Sequence, residues 1–114
     1  MIELIEKHRT ALAELCPRYR VKTLDVFGSA ADGTFEPARS DLDFLVEFLP
    51  LQTGEYADTY FGLLHALEGL FCRKIDLVIP TAIRNRYLLQ SVNQQRKVIY
   101  GSSGSRAFVS PKYQ

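Results

Sequence analysis

Between residues 21 and 48 two short apolar runs flank a small, turn-rich segment, and the second run carries aspartates at alternate positions. Val21-Lys-Thr-Leu-Asp-Val-Phe27 reads as a strand that Gly28 stops, and the stretch from Asp41 to about Phe48 reads as a second strand. Side chains alternate across a strand, so Leu42, Phe44 and Val46 share one face while Asp41, Asp43 and Leu45 share the other. Two aspartates two residues apart then leave one face with Cα atoms roughly 6 to 7 Å apart, close enough to share a cation. Neighbouring carboxylates raise each other's pKa, so a site that keeps both charged needs a metal or bases nearby, and hard Mg²⁺ with oxygen ligands fits best.

The rest of the chain supplies a frame around this strand pair. Apolar residues from Ile2 to Leu15 follow the helical period and predict an amphipathic helix ending near Pro17. Tyr56, Tyr60, Leu63, Leu64, Leu67, Leu70 and Phe71 recur at offsets of three and four and predict the clearest helix, with Tyr56 and Tyr60 in the core. Lys74 to Ile79 predicts a third strand, Pro80 breaks it, and Thr81 is expected to cap a helix running to about Gln95. Val98-Ile99-Tyr100 predicts a short edge strand, and residues 101–114 a flexible tail. The expected organisation is one domain over residues 1–100 followed by that tail.

Composition excludes several classes. A chain of 114 residues with 46% apolar and 24% charged side chains suits one globular core and leaves no room for a separate substrate domain. No apolar run approaches the roughly 20 residues that cross a bilayer, and the opening Met1-Ile2-Glu3 lacks the cations of a secretory leader, so a cytoplasmic protein without membrane contact is expected. Cys16 and Cys72 lack a zinc-ligand spacing and read as buried free thiols. The net charge of +1 conceals a division: residues 1–72 hold 6 Lys+Arg against 12 Asp+Glu, and residues 73–114 hold 8 against 1. That division suits a basic face for a polyanion, an acidic cluster for cations, or a fold that mixes the halves in space. Arg84, Arg86, Arg96 and Lys97 fit phosphate contacts, an acidic partner or a solvated face equally, and His8 and His65 fit solvated or capping roles.

Taken singly, each motif has an ordinary explanation: Gly28-Ser29 as a turn, Ser40-Asp41 as a helix cap, Asp43 as a solvated strand residue, Asp76 as an edge-strand charge. Together and in order they describe a nucleotide site. A glycine at a strand end lets a phosphate approach the backbone, and exposed N–H groups with the Ser29 hydroxyl supply donors. Asp76 in the apolar run Ile75-Asp-Leu-Val-Ile79 is costly unless it faces the same cleft as the pair.

A strand, Gly28-Ser29, three residues, Gly33, then Ser40-Asp41-Leu42-Asp43 on a strand and a lone Asp76 on a later one resembles the DNA polymerase β-type nucleotidyltransferase superfamily. The short chain resembles its minimal branch, the MntA-like antitoxin partners of HEPN-domain proteins. The resemblance spans roughly residues 20 to 100. It implies an α/β fold, a small mixed sheet of three to five strands with helices mainly on one face, like the polymerase β palm. It further implies that Gly28 and Ser29 hold the triphosphate of ATP, that Asp41 and Asp43 bind two Mg²⁺, and that Asp76 completes the second metal site. The implied reaction moves AMP to a hydroxyl, a tyrosine of a HEPN-domain toxin, with release of pyrophosphate, and silences that toxin. With no acceptor-binding domain of its own, the chain is expected to meet the acceptor on a partner, as a complex or a homo-oligomer, and no groove for direct nucleic-acid binding is expected. One position departs from the pattern: relatives carry a basic residue just before the second glycine, and here it is Asp32. An acidic residue there favours an alternative, an antitoxin that has lost catalysis and neutralises its partner by binding alone. Transfer to a small molecule or an RNA end is the remaining alternative.

Overall fold

The computed structural model describes residues 3–28, 36 and 41–101. Its elements run α1 (Glu3–Glu6), α2 (Arg9–Arg18), β1 (Val21–Phe27), β2 (Leu42–Phe48), α3 (Tyr56–Phe71), β3 (Ile75–Val78), a 3₁₀ turn (Pro80–Ala82), α4 (Arg86–Gln95) and β4 (Lys97–Tyr100). Among the described residues the strands form one mixed sheet in the order β3-β2-β1-β4. β1 runs antiparallel to both β2 and β4, whereas β2 and β3 are parallel. This is the expected small mixed α/β sheet, and α3 is the crossover that a parallel pair requires.

Strand register sorts the side chains onto two faces. Leu24 pairs with Val46, Val26 with Phe44, Phe44 with Leu77 and Leu42 with Ile75, and all of these are buried in one apolar cluster. Ile5, Leu12 and Cys16 from α1 and α2 and Leu63, Leu67 and Phe71 from α3 complete it. The three α3 residues recur every four positions, which is why one stripe of the helix is buried. α3 ends where Cys72 turns left-handed at φ 54°. The opposite face carries Thr23, Asp25 and Phe27 from β1, Asp43, Leu45 and Glu47 from β2, and Asp76 and Val78 from β3.

Four local expectations are corrected. The first helix is interrupted at Lys7-His8, where the His8 ring Nδ1 lies 2.9 Å from the Leu4 carbonyl oxygen, and it resumes through Pro17 to Arg18. Thr81 does not cap α4; the Asn85 side chain does, accepting from the backbone N–H groups of Tyr87 (2.9 Å) and Leu88 (3.1 Å). Pro80 closes a 3₁₀ turn first, and this delays the helix. Tyr56 is exposed and meets Phe48 edge-on, while Tyr60 packs against the core and its hydroxyl donates to the Leu77 carbonyl oxygen. Cys16 and Cys72 are both free thiols, but only Cys16 is buried, and burial pushes its thiol up to about 12. No described helix is long and apolar enough to cross a membrane. The expected tail lies almost wholly outside the described residues.

Candidate active site

Three strand ends converge at one edge of the sheet face opposite the main apolar cluster. In the parallel ladder Asp43 of β2 stands directly opposite Asp76 of β3, and in the antiparallel ladder Phe27 of β1 stands opposite Asp43. Directly paired residues point to the same side of a sheet, so Asp76, Asp43 and Phe27 form one row across three strands. Gly28 follows at the end of that row with φ 70°, a left-handed conformation that a side chain resists. A Cβ built on Gly28 would overlap the Asp43 carboxylate, so glycine is needed there for space as well as for conformation. Asp41 lies exposed just before β2.

These carboxyl groups lie close enough to act on one another. Asp43 is half-buried, and its carboxyl is pushed up to about 6, first by burial, then by the charges of Asp76 and Asp41 and by a side-chain hydrogen bond with Asp76. A carboxyl–carboxylate hydrogen bond is what two adjacent acids adopt when a proton occupies the position of a cation. Tyr60 senses the same cluster: burial raises its phenol and the Asp76 charge raises it further.

The donor set fits a hard divalent ion, with the oxygens of Asp43 and Asp76 side by side and Asp41 close enough to act on Asp43. No three acidic, imidazole or thiol side chains converge into a ready-made cage among the described residues. Asp43 and Asp76 are therefore the nucleus of the candidate site, and Asp41 borders it. Ser29 and Asp32 lie outside the described residues, so of the expected phosphate-binding pair only Gly28 is placed.

Sequence reasoning missed one member of this face. Asp25 is 1% exposed, pairs with Leu45 in the β1–β2 register and thus points to the same side as Asp43. Its carboxylate meets the Arg96 guanidinium at 3.4 Å. The signal was an aspartate inside the otherwise apolar run Leu24-Asp-Val-Phe27, the same anomaly that singled out Asp76. Arg96, grouped by sequence with a solvated or ligand-binding basic face, is instead largely buried in this pair. His8 packs at a tilt against Phe71 with ring centroids 4.9 Å apart, and His65 is exposed beside Phe61; neither approaches the row of carboxylates by any described contact.

Known proteins resemble this chain in sequence and fold. The family model described as a nucleotidyltransferase domain matches residues 5–100. A Methanocaldococcus jannaschii protein described as a candidate protein adenylyltransferase is 37% identical over 92 residues, covering 81% of this chain and 87% of that protein. The solved structure of a candidate minimal nucleotidyltransferase is 31% identical with a TM-score of 0.68, over 84% of this chain and 95% of that one. A chain from the complex of tri-AMPylated Shewanella oneidensis HEPN toxin with MNT antitoxin superimposes with a TM-score of 0.59 over 86% of this chain and 73% of that one. At 18% identity that last likeness concerns the fold alone. With the match running across both ladders and every strand of the candidate site, the chain belongs to the nucleotidyltransferase domain family, a family of transferases.

Proposed function

We propose that the chain transfers AMP from ATP to a hydroxyl group, a tyrosine, on a HEPN-domain partner and thereby acts as its antitoxin. The observation that carries this reading is the Asp43–Asp76 pair set beside a glycine whose missing side chain leaves room for it. Asp41, Asp43 and Asp76 would hold Mg²⁺, which when bound supplies Lewis-acid stabilisation of the attacking and leaving oxygens. Gly28 brings backbone close to the carboxylates without a Cβ, and with Ser29 it would receive the phosphates. Asp76 would accept the proton of the incoming hydroxyl as pyrophosphate leaves. No side chain need form a covalent intermediate, so the chain's contribution is positioning and charge neutralisation.

The partner reading rests on two supports: the similarity to a candidate protein adenylyltransferase, and the toxin–antitoxin complex whose fold this chain shares. The experiment is transfer of labelled AMP from ATP to the HEPN-domain protein of the same genome, with Mg²⁺ and with EDTA. Transfer that needs Mg²⁺ and is lost in Asp43→Asn and Asp76→Asn supports the reading. Transfer that survives either substitution sinks it.

Binding without catalysis is the second reading, and Asp32 is what favours it. A unit charge about 6 Å from a phosphate opposes binding by on the order of 3 kcal/mol at an effective dielectric near 20. Under that reading wild type binds the partner without modifying it, and Asp32→Arg gains transfer. Activity in both proteins instead supports an enzyme whose Asp32 turns away from the phosphates.

A further inference from the structure

α4 is held at both ends and scarcely covered between them. Asn85 caps its first turn, and Arg96 after its last is locked to buried Asp25. Of its 10 residues only Val92 is buried. Tyr87 is 79% exposed and Leu88 54%, the two most exposed large apolar side chains among the described residues. Arg84 and Arg86 beside them are exposed too. From residue 77 to the end the sequence has no Asp or Glu, so no acidic side chain accompanies these cations within α4 or after it. A capped helix start that offers Tyr and two Arg to solvent has the residue types enriched at interface hot spots, with Leu88 adding apolar area and the arginines suited to an acidic rim.

We infer that Arg84, Arg86, Tyr87 and Leu88 form the docking surface for the protein that carries the acceptor hydroxyl, and that the matching surface is an apolar patch rimmed by Asp and Glu. The inference rests on the proposed transferase reading and specifies its partner chemistry. Charge and placement both argue for that occupant. A second copy joined two-fold through this patch would set arginines against arginines. A nucleic acid would use the arginines and stack on Tyr87 but leave Leu88 in water. Leu88 precedes Arg96 by eight residues, roughly 12 Å along a helix rising 1.5 Å per residue, and Arg96 lies on the carboxylate face. A partner seated at the start of α4 is thus joined through that one helix to the sheet face that carries Asp43 and Asp76.

The test uses the full chain and the HEPN-domain protein of the same genome, with Arg84→Glu/Arg86→Glu and Tyr87→Ala/Leu88→Ser as variants. All four positions are exposed, so both variants should melt like wild type and bind Mg·ATP with unchanged affinity. Complex formation should weaken tenfold or more in each, the KM for the partner should rise in step, and the wild-type complex should weaken with added salt. Variants that bind and modify the partner as wild type does overturn the docking surface and leave the transferase reading intact. A wild-type complex that is lost in both variants while no transfer occurs supports the surface and defeats the transferase reading. Absence of any wild-type complex overturns the inference. So does a homodimer, or binding of a 20-nucleotide RNA, that both variants abolish while the partner still binds.

Discussion

Asp43 and Asp76 face each other across the parallel β2–β3 ladder with their side chains hydrogen-bonded, two acids held at a distance where both cannot comfortably be ionised. Raising the folded-state pKa of Asp43 from 3.8 to about 6 means that the folded chain binds this proton more tightly than the unfolded chain does. Without metal, the contribution of Asp43 to stability is therefore greatest below about pH 4 and is lost as pH rises to about 6. In EDTA, Asp43→Asn should be more stable than wild type at pH 7 by about 1 kcal/mol, a figure reduced from the full shift because the group is half-exposed. Thermal melts at pH 4.5 and 7 measure it. Added Mg²⁺ should raise the melting temperature of wild type and leave that of the variant nearly unchanged.

Gly28 constrains the same carboxylate from the other side. Gly28→Ala should cost about 1 kcal/mol for a left-handed residue with a side chain, and should displace the Asp43 carboxylate. AMP transfer should fall more than tenfold for this modest loss of stability. Equal losses of activity and of folded protein would mean that the glycine matters for the turn alone.

The Asp25–Arg96 pair joins β1 to the end of α4 from within the sheet face. Removing only the cation takes the ion-pair partner from a buried carboxylate, so Arg96→Met should destabilise by about 3 to 5 kcal/mol. The double change Asp25→Leu/Arg96→Met should recover most of that loss, because neither charge then remains buried. Urea unfolding of the four proteins gives the coupling energy directly.

The start of α4 separates two candidate caps. Asn85→Ala removes the acceptor for two backbone N–H groups and should cost about 1 kcal/mol, whereas Thr81→Ala should change stability by a few tenths at most. Chemical denaturation with matched slopes distinguishes them.

Much of this fold was legible because period and punctuation are local. The seven residues from Val21 to Phe27 form a strand-like run that stops at a glycine, and the stripe through Leu63, Leu67 and Phe71 repeats every four residues; both elements lie where the sequence signals put them. The anomaly of an acid in an apolar strand likewise singled out Asp76. One helix start was not legible: the sequence pointed to Thr81 as the cap, but the 3₁₀ turn that begins at Pro80 takes up Thr81 and leaves Asn85 to cap α4.

Relationships across the sheet belong to tertiary structure. Alternation within β2 determines that Asp43 faces away from Phe44, but only the β2–β3 register decides that Asp76 stands opposite it rather than two residues away. Only the return of β4 beside β1 brings Arg96 to Asp25 and turns an apparent surface cation into a buried partner. Side-chain period is a property of one strand, so the sequence by itself determined which residues share a face. Register and strand order minimise exposed apolar area over the whole sheet, so they alone decided which of those residues meet.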